Sequence, residues 1–240
     1  MIYFCFIFLS CLFPASALSD VIVHDMIVLK GEEVMLRAET RGRLLSKGGE
    51  VVEFFVDGKS IGKTLSGGDG FAFRQFIPLK TGMYQITVKS GGDEDNGLLL
   101  SLKKGDRIIF VDVEGSLLEG LFSKRPMKGS QKTIKKISRR FPVAFLQAGV
   151  LGVKAIKVWL KKNEFLELPV VPWRQGAIFD EINEKGVKIK AVIGSPSIIE
   201  SAKEYKPMAF SFEETDDAEE VKDWEEIRKR LIDRTTHKDK

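Results

Sequence analysis

The sequence predicts two domains in series: an all-β sandwich over residues 19–104, then an α/β domain with a doubly wound, mainly parallel sheet over 105–231. Three observations predict this. Up to residue 104, apolar residues alternate with polar ones and glycine turns break the runs, as in half-buried antiparallel strands. From Gly105 onward, short unbroken apolar runs take over, as in strands buried on both faces. Between these runs lie segments of helical period, and strands alternating with helices build a parallel sheet.

The composition fits this plan. The chain has 240 residues, 38 basic and 34 acidic, a formal net charge of +4, and 43% hydrophobic residues. That excludes a disordered chain, a collagen and a polytopic membrane protein. So small a charge excess does not argue for nucleic acid. There are two cysteines, Cys5 and Cys11, and two histidines, His24 and His237. Both cysteines lie in the leader, so the rest of the chain has no disulfide, thiolate nucleophile or cysteine metal site. A Ser-His-Asp triad and a zinc site with several histidines are likewise disfavoured. Chemistry must rest on carboxylates, lysines, hydroxyls and backbone.

Residues 2–13, IYFCFIFLSCLF, are almost wholly apolar, and Pro14 ends the run before Ala15-Ser16-Ala17. The run falls short of the roughly 20 apolar residues that span a bilayer. It reads as a signal peptide over 1–17, although no Lys or Arg precedes it. The expectation is export to a periplasm, a cell envelope or the medium, with no transmembrane span after cleavage. Lipid anchoring at Cys11 is a lesser alternative, because Phe8-Leu9-Ser10 is a poor lipoprotein signal.

In the first domain, Val21-Ile22-Val23 and Met26-Ile27-Val28 are β-branched runs. Val34, Leu36 and Ala38 alternate with Met35 and Arg37, and Val52, Phe54 and Val56 with Glu53 and Phe55. Asp57-Gly58 and Asp69-Gly70 are hairpin turns, where both central positions need positive φ. Tyr84, Ile86 and Val88 form a further strand. Residues 91–97, GGDEDNG, read as a polar hairpin tip rather than a calcium loop. The stretches GEEVMLRAET, VVEFFVDGKSIGKT, DGFAFRQF and TGMYQITVKSG, in this order, resemble the immunoglobulin-like domains of exported bacterial proteins. The resemblance implies a spacer, or a surface for a protein or glycan partner, and no chemistry.

In the second domain, Ile108–Val111 and Val143–Leu146 are buried strands, with a helix expected at 129–140 and another at 150–163. Further strands are expected at 190–194 and 208–212, then a charged helix at 218–232 carrying Trp224, Ile227 and Leu231, and a charged tail at 232–240. Ligands of such domains sit beyond the carboxyl ends of the strands.

Asp112 stands at one such end, in IIFVDVEGS. This string resembles the first motif of the haloacid dehalogenase-like phosphatases, an apolar strand followed by Asp-x-Asp-Gly-Thr. The resemblance implies Asp112 as the nucleophile that forms an aspartyl-phosphate and Glu114 as acid and base on the leaving group. It implies Gly115 at the turn and Ser116 on the phosphate. Glu114 is one methylene longer than the usual Asp, in chemistry where about 1 Å matters. Within the superfamily, FLQAGVLGVKAIKVWLKKNEF is most similar to lipin-type phosphatidate phosphatase domains. Gln147 then occupies the place of the phosphate-binding Ser or Thr, and Gly149 the place of Arg. Lys185 is the candidate phosphate lysine, with Lys188 and Lys190 close behind. The fourth motif supplies acids for Mg²⁺, which takes oxygen ligands. Here Ser195, Ile198 and Ile199 fill those positions and only Glu200 is near, leaving Asp112 as the remaining metal ligand.

The expected function is therefore a phosphatase-like domain with impaired or lost catalysis that acts in binding. The alternative is a Mg²⁺-dependent phosphohydrolase acting through Asp112, on phosphatidate or another phosphomonoester. A third class is a structural envelope component. Lys124, Arg125, Lys128, Lys132, Lys135, Lys136, Arg139 and Arg140 run without an intervening acid, and Lys154, Lys157, Lys161 and Lys162 follow. They form either solvated helix faces balanced by the acidic 213–226 stretch or a basic rim for a phosphorylated or anionic ligand. Nucleic acid is disfavoured, because no aromatics interleave with the cluster.

Overall fold

The computed structural model describes residues 20–42, 45–120 and 125–236. The leader with Cys5 and Cys11, Lys124, and the tail from His237 lie outside the described residues.

Eight strands form the first half: β1 (Asp20–Val23), β2 (Met26–Leu29), β3 (Val34–Arg41), β4 (Val51–Val56), β5 (Lys59–Leu65), β6 (Phe71–Phe76), β7 (Gly82–Ser90) and β8 (Asp93–Leu102). They make two sheets, β1-β3-β6 and β2-β8-β7-β4-β5. All neighbours are antiparallel except β2 and β8, which run parallel. The chain thus switches sheets between β1 and β2. Period-two burial puts Leu36 and Ala38 of β3 opposite Phe54 of β4 and Ile86 and Val88 of β7 in one core. Tyr84, near the start of β7, accepts the Lys80 N–H at 2.8 Å and donates to the Lys80 carbonyl at 3.1 Å. This is the tyrosine corner of immunoglobulin-like sandwiches, and the strand order is theirs too.

The polar segment 91–97 is shorter as a turn than expected. Gly91 and Gly92 make the turn with φ of 58° and 97°, and Asp93 already pairs with Ser90. The acids belong to β8 and are used there. Glu94 faces Lys89 across the ladder in an ion pair. Asp95 accepts the Val23 N–H at 2.8 Å.

The second half contains β9 (Arg107–Asp112), α1 (Val113–Ser116), α2 (Ser130–Ile137), β10 (Val143–Gln147), α3 (Val153–Lys162), β11 (Val170–Pro172), α4 (Ala177–Glu184), β12 (Lys188–Ile193), α5 (Pro196–Ala202), β13 (Met208–Ser211), β14 (Glu219–Glu220) and α6 (Trp224–Thr236). The six strands are parallel, in the order β11-β10-β9-β12-β13-β14. Counted along the chain this is 3-2-1-4-5-6, a doubly wound order with its switch point between the first and fourth strands. The unbroken run in β9 follows from this placement. Ile109 and Val111 pack with α2, α3 and α6 on one face, while Ile108 and Phe110 pack with α4 and α5 on the other. The terminal helix begins at Trp224 rather than at 218, because Glu219 and Glu220 pair with β13.

The halves share a core. Val28 of β2 and Leu99 of β8 point into the sandwich. Their neighbours Ile27, Leu29, Leu100 and Leu102 join the α/β cluster around Phe110 and Phe179. Asp25, in the β1–β2 connection, adds the polar contact. Its side chain is wholly buried and takes the Lys157 ammonium at 2.6 Å. It also accepts the N–H groups of Val170 at 2.7 Å and Leu98 at 2.9 Å. Burial pushes the Asp25 carboxyl up, and Lys157 and the two amides pull it back.

Candidate functional site

Asp112 closes β9 in the middle of the parallel sheet, with Leu146 of β10 beside it. Its carboxyl is buried. Oδ2 accepts the Ser195 N–H at 3.2 Å, and the backbone N–H groups of Gly115 and Glu114 favour the charged carboxylate. Oδ1 is buried and has no hydrogen-bond partner among the described residues. Burial pushes the Asp112 carboxyl up, and the surrounding N–H groups and the Ser195 hydroxyl only partly offset this.

Two glycines make the close fit possible. A Cβ at Gly115 would lie 2.2 Å from Asp112 Oδ2, and one at Gly194 would lie 2.7 Å from Asp112 Cβ. The need for Gly194, directly after the apolar run of β12, was not read from the sequence.

Glu114 is near Asp112 in sequence but engaged elsewhere. Its Oε1 accepts the Leu151 N–H at 2.9 Å and its Oε2 the Val150 N–H at 3.1 Å. A Cβ at Gly149 would sit 2.4 Å from this carboxylate. Glu114 thus anchors the loop between β10 and α3, and glycine at 149 makes room for it.

Ser116 is wholly buried, and its hydroxyl donates to the Asp112 carbonyl. Gln147 ends β10 on the same edge as Asp112, and its amide donates to the Gly149 carbonyl at 3.3 Å. Lys185 is not brought to this site. It caps the carboxyl end of α4, and its neighbour Gly186 takes the Gly105 N–H at 2.8 Å, at the entry of β9. The length of β9 separates it from Asp112, roughly 20 Å at about 3.3 Å per residue. Ile198 and Ile199 are core residues of α5. Asp180 accepts the Tyr205 hydroxyl and Glu181 pairs with Arg174.

A Mg²⁺ ion would need several oxygen ligands, one or two of them carboxylates in a phosphate-transfer site. Among the described residues, no three His, Cys, Asp or Glu side chains gather into a ligand group. Asp112 alone, buried and held toward its neutral form, does not fit a magnesium site of ordinary strength.

No known protein family and no curated protein matches the sequence. Among solved structures, the D00-D0 domain of Intimin is similar at 15% identity and TM-score 0.31, over 35% of this chain and 46% of that one. The Yersinia pseudotuberculosis adhesin InvE is similar at 11% identity and TM-score 0.30, over 35% of this chain and 32% of that one. Domains 4 and 5 of the S-layer protein SbsC give 16% identity and TM-score 0.27, over 36% of this chain and 53% of that one. This chain thus spans about half or less of each of these structures. No described helix is long and apolar enough to cross a membrane.

Proposed function

We propose that this chain is an exported two-domain binding protein whose α/β half keeps a phosphatase-like sheet without a working cation site. One observation carries the reading. Asp112 stands at the exit of an interior parallel strand, where doubly wound folds hold ligands, and among the described residues no three His, Cys, Asp or Glu side chains gather into a metal-ligand group. Glu114, the acid two residues on, spends both oxygens on loop amides. A phosphorylated or anionic ligand would meet this edge, and the sandwich would face a protein or glycan partner. Export rests on the sequence of residues 2–17, and the mature chain would begin at Leu18.

The test is phosphate release from p-nitrophenyl phosphate and from phosphatidate, with millimolar Mg²⁺, for the wild type and Asp112→Asn. The expected result is no release above that of the variant. Magnesium-dependent release that Asp112→Asn abolishes would overturn the reading and establish a phosphohydrolase acting through Asp112.

A further inference from the structure

At the opposite edge of the parallel sheet, where β9 and β10 begin, a cavity of about 370 Å³ opens between the two halves of the molecule. Leu100 and Leu102 from the sandwich and Phe141 and Leu168 from the α/β half make its apolar wall. Arg139 and Arg140 also line it, both exposed and without an ion pair among the described residues. One more cation stands close by. Arg107 lies 5.8 Å from the centre of the Phe141 ring. Among the described lining residues, Asp106 is the only acid, and its Oδ2 already takes the Lys103 N–H at 2.9 Å. The cavity therefore carries a clear positive excess.

We infer that this junction cavity binds a small amphipathic anion. The acid group lies against Arg139 and Arg140, whose planar forks suit a carboxylate or a phosphate equally. The apolar body lies against Leu100, Leu102 and Phe141. The volume falls within the roughly 300–1,000 Å³ of small-molecule sites, which favour domain junctions. The cavity is separate from Asp112 and does not depend on the reading given for that residue.

Calorimetric titration of the full chain with sodium hexanoate, hexyl phosphate and 1-hexanol tests the inference. At least one anion is expected to bind with a Kd below about 1 mM, and hexanol at least about tenfold more weakly. Hexanoate alone identifies a carboxylate ligand, hexyl phosphate alone a phosphomonoester, and both together a site for either group. Arg139→Ala/Arg140→Ala should weaken the anion about tenfold or more with an unchanged thermal midpoint, since both side chains are exposed. Anion binding weaker than about 1 mM, or binding indifferent to loss of the two arginines, would overturn the inference.

Discussion

The Trp224 indole N–H donates to the Ser116 carbonyl at 3.0 Å, across 108 positions of sequence. Ser116 in turn closes the short turn that follows Asp112. The terminal helix is thereby tied to the backbone that holds the candidate site. Trp224 is wholly buried, so Trp224→Ala should cost about 3–5 kcal/mol, since it loses both volume and a buried hydrogen bond. Chemical unfolding followed by circular dichroism measures the loss. A change below about 1 kcal/mol would mean that α6 is dispensable to the fold.

Asp25 joins the halves through Lys157, Val170 and Leu98. Asp25→Ala leaves one ammonium and two amides without their acceptor and should destabilise the chain by about 3–5 kcal/mol. At about 2–4 °C per kcal/mol for a chain of this size, the midpoint should fall by roughly 6–20 °C. Calorimetry is the readout, and two separate transitions in the variant would show that the halves had uncoupled.

The Asp112 carboxyl is pushed up by burial. A carboxyl raised in the folded state favours folding below its unfolded value near 3.9 and loses that contribution as pH rises through the folded value. Asp112→Asn should therefore be more stable than the wild type at pH 7, and the gap should close as pH falls toward about 4. Denaturant midpoints at the two pH values decide this, and a variant less stable at pH 7 would mean that the charge itself is stabilised.

Glu114→Ala should free the 149–151 loop at a cost of about 1–3 kcal/mol, because two amide donors lose a charged acceptor. The sharper readout is hydrogen exchange at Val150 and Leu151, which should speed up selectively. Uniform acceleration across the α/β half would mean instead that Glu114 supports the whole domain.

Much of this arrangement was legible in the sequence, for identifiable reasons. The run Ile108–Val111 could be read as a central strand because it is buried on both faces and needs no alternation. Asp112 followed from it as the residue at the strand end. The strand β8 was hidden because Asp93, Glu94 and Asp95 suggest a loop, and only pairing with β7 and β1 gives these acids partners. The segments α4 and α5 and the short strand β11 escaped because each is brief and draws its stability from packing on the sheet. The role of Glu114 could not be read, since its donors arrive from positions 150 and 151. Lys185 was misleading in a different way. A residue between a helix and the next parallel strand lies at the strand's entry, whereas Asp112 lies at a strand's exit.

Only the short turn Lys103–Asp106 connects β8 to β9 covalently, yet Asp25 and the leucines of β8 bridge the same junction without covalent bonds. A protease that nicked the chain at this turn would not release two fragments. They would migrate together until denatured, and neither half expressed alone would be expected to stay in solution, because each would bare a strip of leucine and isoleucine that now faces the other.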